Sequence, residues 1–262
     1  MARTRQLVGL VTLLALIVIV LGVTGVQVPL PGGQSDQPAL PGVKARAATT
    51  LARVPQGGEF AFLTVEPNGN LVVTDARRAT VLRFDPGGRL LSEWGPQFGT
   101  TQLQEPAGVA VAGDSYYVVD RGTPRIFRLD SSGQPQAIID LQPLGPYGLN
   151  GLVVDAAGYM YVADTGRNRI LVLSPAGQLV KQIGHSGTDL GGFTQPMMLA
   201  IAPDGALFVT DWENSRIERF NSALEATDTW SLGFRAFGLA VDPLGRVFAP
   251  DFDHRRIEAY AP

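Results

Sequence analysis

The chain has 262 residues, with 21 Lys and Arg against 24 Asp and Glu, for a net charge of −3. So small a net charge builds no strong field for nucleic acid. There is no Cys, which excludes disulfides, thiolate catalysis, Cys-ligated metal and a lipoprotein acyl-Cys anchor.

Residues 1–6 carry Arg3 and Arg5 and form a short cytoplasmic N-terminus. Residues 7–26, LVGLVTLLALIVIVLGVTGV, hold no charge. At about 1.5 Å per residue a helix of that length spans roughly 30 Å, the thickness of a bilayer core. The Arg pair ahead of it, and the absence of nearby Lys or Arg behind it, place everything downstream outside the cytoplasm. Two readings stand. The segment is an uncleaved signal anchor, making a single-pass protein of the cell membrane, or a cleaved secretory signal with a weak site at Val23-Thr24-Gly25. Residues 27–46 are rich in Pro, Gly, Gln and Ser and read as a semi-extended linker.

Residues 47–262 are a repeat region. Its clearest unit is 151–184, GLVVDAAGYMYVADTGRNRILVLSPAGQLVKQIG. Short apolar runs at 152–154, 159–163, 170–173 and 179–183 are separated by turns rich in Gly, Pro and Asp, the hairpin signal. The strand-ending Asp recurs at Asp75, Asp120, Asp164, Asp211 and Asp251, at intervals of about 40–47 residues, a propeller-blade period. Five residues on stand Thr80, Arg125, Arg169, Arg216 and Arg256, and one further Val81, Ile126, Ile170, Ile217 and Ile257. An Asp at a strand end can accept turn amides, the Arg can pair with it, and the Ile packs between blades. The last unit has three strands, 239–241, 247–250 and 257–260, and segment 49–54 (TTLARV) is spare. An unpaired sheet edge is a liability, so 49–54 is expected to supply the outer strand of the last blade and close the ring.

These units resemble the NHL repeat. The match rests on Tyr161-Val-Ala-Asp164-Thr-Gly-Arg-Asn-Arg169-Ile170, with similar runs at Val73-Thr-Asp75, at Phe208-Val-Thr-Asp211 before Arg216-Ile217, and at Val118-Val-Asp120 before Arg125-Ile126. The connection from Gly184 to Pro196 is also similar to the family's. The expected fold is all-β: one propeller of four-stranded blades, five by the repeat count, with six as the alternative because NHL propellers often have six.

In such a blade the first-to-second and third-to-fourth turns share one face, and here they are tight. The second-to-third turns and the inter-blade connections share the other. They are longer and more varied, which favours function there. The residue after the strand-ending Asp is Ala76, Arg121, Thr165, Trp212 or Phe252. With Arg78, Arg167, Arg235, Glu213 and His254, the aromatics and Arg121 form either a contact patch or a solvated rim of ion pairs.

Some propellers related to the NHL type are lyases or lactonases with a channel metal held by His and carboxylates. The inner strands here offer one amide, Asn150, and the two histidines lie on loops. Glu66, Asp155 and Asp242 end three inner strands and are weak candidates for a cation ring. Ala112 and Ala202 interrupt that ring, which favours turn capping. No cofactor is expected, though a divalent cation stays open. Some NHL propellers bind RNA. Arg interleaved with Asp and Glu, and the near absence of Lys, argue against nucleic acid here. The reading is a non-catalytic, extracytoplasmic binding scaffold recognising a protein, peptide or envelope glycan. The alternative is a metal-dependent lyase or hydrolase with its site in the channel.

Overall fold

A computed structural model describes residues 58–261. The tail, the apolar segment 7–26, the linker and the expected closing strand 49–54 lie outside the described residues. Among the described residues no helix is long and apolar enough to cross a membrane.

The architecture is an all-β propeller of five blades. Blade 1 is β1 (Phe60–Val65), β2 (Leu71–Asp75), β3 (Thr80–Phe84) and β4 (Leu90–Trp94), hydrogen-bonded in sequence order. A small hairpin, β5 (Gln97–Phe98) and β6 (Thr101–Gln102), leads to blade 2: β7 (Pro106–Ala112), β8 (Ser115–Asp120), β9 (Arg125–Leu129) and β10 (Pro135–Asp140). Blade 3 is β11 (Leu149–Val154), β12 (Met160–Asp164), β13 (Arg169–Leu173) and β14 (Leu179–Ile183). A parallel pair, β15 (His185–Ser186) and β16 (Gly192–Phe193), folds the next connection back on itself. Blade 4 is β17 (Pro196–Ile201), β18 (Leu207–Asp211), β19 (Arg216–Phe220) and β20 (Ala226–Ser231). Blade 5 shows three strands, β21 (Ala240–Val241), β22 (Val247–Asp251) and β23 (Arg256–Tyr260).

The second strand of each blade is almost wholly buried. The run Leu71–Asp75 is buried throughout. Alternate residues enter different layers: Val72 and Val81 pack with blade 2, while Leu71, Val73 and Leu82 form a cluster on the opposite face of blade 1. Further apolar layers join blades 2 and 3, 3 and 4, and 4 and 5. The outer strands are exposed, as the pattern of Leu179–Ile183 illustrates.

Tight turns follow one rule. Asp155, for example, donates its N–H to Tyr159 O and accepts from Gly158 N, while its Oδ1 accepts from Ala157 N and Tyr159 N. Gly158 takes φ +84°, the left-handed position that closes a three-residue hairpin loop. The inner strands approach backbone to backbone. A Cβ on Gly108 would lie 2.3 Å from Asn150 O, and one on Gly151 would lie 2.5 Å from Met197 O.

The five repeated aspartates are buried, none more than 1% exposed. In four blades the carboxylate accepts the N–H of a residue just ahead of the inner strand: Glu59 at 2.8 Å, Glu105 at 2.8 Å, Tyr147 at 2.7 Å and Thr194 at 2.7 Å. In blades 1, 2 and 5 the carboxylate also accepts an amide of its own turn, as Asp75 does from Arg77 and Arg78. Arg169, Arg216 and Arg256 pair with their Asp at 2.7, 2.8 and 3.0 Å. Arg125 is not bonded to Asp120, whose second oxygen is taken by Thr123 and by the Gln104 amide. In blade 1, Thr80 replaces the Arg, and Asp75 Oδ2 has no partner among the described residues.

Removing one partner of a buried ion pair leaves the other uncompensated, at a cost of about 3–5 kcal/mol. Asp211→Ala is therefore expected to lower unfolding free energy by about that amount. Arg125→Ala should cost about 0.5 kcal/mol or less. Denaturant unfolding of the two variants checks this, and equal losses would contradict it.

Candidate functional site

The residue after each repeated Asp lies where one blade meets the next. Its backbone N–H bonds the segment entering its own inner strand: Ala76 to Glu59 O, Arg121 to Glu105 O, Thr165 to Gly148 O and Trp212 to Gln195 O. The Arg121 and Thr165 side chains then reach the neighbouring blade. Arg121 donates to Asn150 Oδ1 at 3.1 Å and to Glu105 at 2.5 Å. Asn150 donates to Thr165 Oγ1 at 2.7 Å, and Thr165 donates to Pro196 O at 2.6 Å. A continuous polar chain thus links blades 2, 3 and 4 at the loop-rich end of the ring. Asn150 and Thr165 are both buried in it.

From blade 4 to blade 5 the same position changes chemistry. Trp212 packs on Phe237 with ring centroids 4.9 Å apart, and Phe237 packs on Phe252 at 6.1 Å. The Arg235 guanidinium lies over the Trp212 ring, 4.7 Å from its centroid, and pairs with Glu213 at 2.5 Å. Trp212 Nε1 is buried without a hydrogen-bond partner among the described residues, and packing holds the ring in place. The mouth of the ring therefore has a polar side and an aromatic side.

Of the residues singled out from sequence, Arg121 belongs to the polar side, and Trp212, Glu213, Arg235 and Phe252 form the aromatic side. Phe237, which joins the two aromatics, was not singled out. It ends the Phe234-Arg235-Ala236-Phe237 run of the connection between blades 4 and 5. Three residues stand elsewhere. Arg78 pairs with Glu93 on the outer strand of blade 1 at 2.6 Å. Arg167 donates to Gly145 O at 3.2 Å. His254 is tied back to Asp251 at 2.8 Å and caps its own turn.

The cation candidates are engaged within the fold. Asp155 accepts turn amides and the Tyr161 hydroxyl. Asp242 accepts the amides of Leu244 and Arg246 and pairs with the Arg246 guanidinium. Asn150 is held by Arg121 and Thr165. Among the described residues no three His, Asp or Glu side chains converge. Glu66 is 4% exposed and accepts from Arg83, from Asn70 at 2.8 Å and from the Tyr116 hydroxyl at 2.8 Å, tying blade 1 to blade 2. Burial raises its pKa. The bonds from Arg83, Tyr116 and Asn70 overcome this and hold the carboxyl down from 4.5 to about 2. Burial, and then Glu66, push the Tyr116 hydroxyl up to about 12.

A second buried junction shapes the connection beside the aromatic side. Arg216 donates to the carbonyls of Thr188, Asp189 and Gly192 at 2.6, 3.0 and 2.8 Å, and lies 2.9 Å from Glu218. Burial raises the Glu218 pKa, against the Gly191 amide and the charge of Arg216.

No family model matches the chain. No curated protein matches it by sequence. Solved structures match in fold. A catalytically inactive virginiamycin B lyase from Staphylococcus aureus with quinupristin aligns with a TM-score of 0.61 at 14% identity, over 77% of this chain. The chain spans 65% of that protein's length. A streptogramin B lyase aligns with 0.59 at 16% identity, over 80% of this chain and 70% of its own. A chain of a nidogen/laminin complex aligns with 0.58 at 18% identity, over 79% and 81%. At these identities the likeness is one of fold, a β-propeller.

The Glu66 pKa sets a pH dependence. A carboxyl held below its unfolded value stabilises the fold above that value, and the contribution is lost as pH falls through the folded pKa. Glu66→Gln is expected to be less stable than the parent at pH 7, with the gap narrowing between pH 4.5 and about 2. Unfolding curves across that range measure it, and a gap independent of pH would contradict it.

Proposed function

We propose that the chain is an NHL-type propeller acting outside the cytoplasm as a non-catalytic scaffold, and that it binds a protein or peptide at the aromatic side of its mouth. The observation that carries this is the Trp212–Phe237–Phe252 group with Arg235 and Glu213 beside it. Trp and Arg dominate interface hot spots because they offer large rigid area together with a polar handle. The rings are half-buried, so part of each stays available to a partner. The fold likeness to a chain of a nidogen/laminin complex is compatible with that use. Export rests on the uncharged run at residues 7–26 behind Arg3 and Arg5.

Two experiments test the proposal. Proteins retained by the parent chain should be lost by the Trp212→Ala, Phe237→Ala, Phe252→Ala triple variant. They should still be retained by Leu90→Ser, on the far outer strand. Retention by the triple variant would overturn the site. Protease added to sealed cells should degrade residues 58–261, and protection of that region in intact cells would overturn export.

A further inference from the structure

We propose that the aromatic side of the mouth recognises a cationic side chain, guanidinium or ammonium, on a basic peptide or protein partner, and that Arg235 is the internal stand-in for it. The inference rests on the binding reading above and gives that site its ligand chemistry.

The fold already displays the complex in miniature. A cation over the face of Trp is attracted by the negative face of the ring system, and Trp gives the strongest such contact. Arg235 supplies that cation 4.7 Å from the Trp212 centroid. Glu213, the next residue after Trp212, supplies the counter-charge at 2.5 Å. Ring and carboxylate are both fixed by the backbone: Trp212 N and Glu213 N donate to the carbonyls of Gln195 and Thr194, and the Thr194 amide is held by buried Asp211. Phe237 and Phe252 extend the aromatic floor past Trp212.

Arg235 is held less firmly than its two receptors. Its side chain is 52% exposed, it lies on the irregular segment between β20 and β21, and among the described residues Glu213 is its one ion-pair partner. An exposed pair of this kind contributes at most about 1 kcal/mol. A partner's cation can therefore take its place on the ring and on Glu213, while Arg235 swings into solvent. The other strong ion pairs of the repeat differ on this point. Arg169 and Arg216 are mostly buried and bind backbone carbonyls as well as carboxylates, so they are not displaceable.

The test uses the full chain labelled with 5-fluorotryptophan, with the Trp212 resonance assigned by its loss in Trp212→Phe. The probes are the blocked tripeptides Gly-Arg-Gly and Gly-Gln-Gly. The arginine peptide is expected to shift the Trp212 resonance and to leave those of Trp94 and Trp230 in place. Arg235→Ala, which removes the competitor, should lower the half-saturating concentration about tenfold, and Glu213→Gln should raise it. Arg235→Lys should behave like the parent. Equal half-saturation in the parent and Arg235→Ala, an equal shift from the glutamine peptide, or no shift in Arg235→Ala would overturn the cation. Loss of retained proteins from the triple aromatic variant would still support the mouth as a binding surface, so the two ideas fail separately.

Discussion

The structure depends on one recurring bond: a buried carboxylate at the end of the second strand accepting an amide from the segment that enters the first. Asp75, Asp120, Asp164 and Asp211 each do this across about sixteen residues of chain. The bond fixes two things at once. It sets where the inner strand begins, and it holds the second-to-third turn against that entry point. A carboxylate with almost no exposure is costly unless its oxygens are satisfied. The local sequence supplies most of the partners, by turn amides in blades 1, 2 and 5 and by the downstream Arg in blades 3, 4 and 5.

Once the latch is set, the residue after it has no freedom of direction. From this position Arg121, Thr165 and Trp212 point toward the next blade, and the side chain decides what that boundary is made of. Arg121, Asn150 and Thr165 make a hydrogen-bonded seam on one side. Trp212, Phe237 and Phe252 make an aromatic one on the other. The mouth is therefore asymmetric, through the side chain at this repeat position and through Phe237 from the connection between blades 4 and 5. The aromatic seam is also where the unpartnered indole N–H and the exposed Arg235 occur. Packing and stacking hold the rings there without the buried hydrogen bonds of the polar seam.

The fold was largely legible in the sequence because the signal is periodic and local. The Asp spacing, the Gly-ended turns and the strand lengths all derive from backbone requirements that each blade meets separately. Strand bounds agree to within one to three residues: the run 159–163 is the strand Met160–Asp164, while the run 152–154 is the second half of Leu149–Val154, whose start at Leu149-Asn150-Gly151 carries no apolar run. The site was legible in part. Trp212 and Phe252 stood out because they break a repeat position. Phe237 did not, because it lies in a connection with no repeat register to compare it against. Arg78, Arg167 and His254 shared the turn sequence of the site residues, but their partners, Glu93, Gly145 O and Asp251, direct them elsewhere. The Glu66–Arg83–Tyr116 junction was out of reach for a related reason. Glu66 and Tyr116 are 50 residues apart and meet only once two blades pack.

The central claim is that the buried aspartates hold turn and entry segment as one unit and so position the mouth. Amide hydrogen exchange across the full chain, in the parent and in Asp211→Asn, tests it most directly. The Thr194 amide is expected to exchange as slowly as the strand core in the parent, and in the variant Thr194, Trp212 and Glu213 should speed up together while blade 2 is unchanged. Exchange of Thr194 at loop rates in the parent, or acceleration of Thr194 alone, would contradict it.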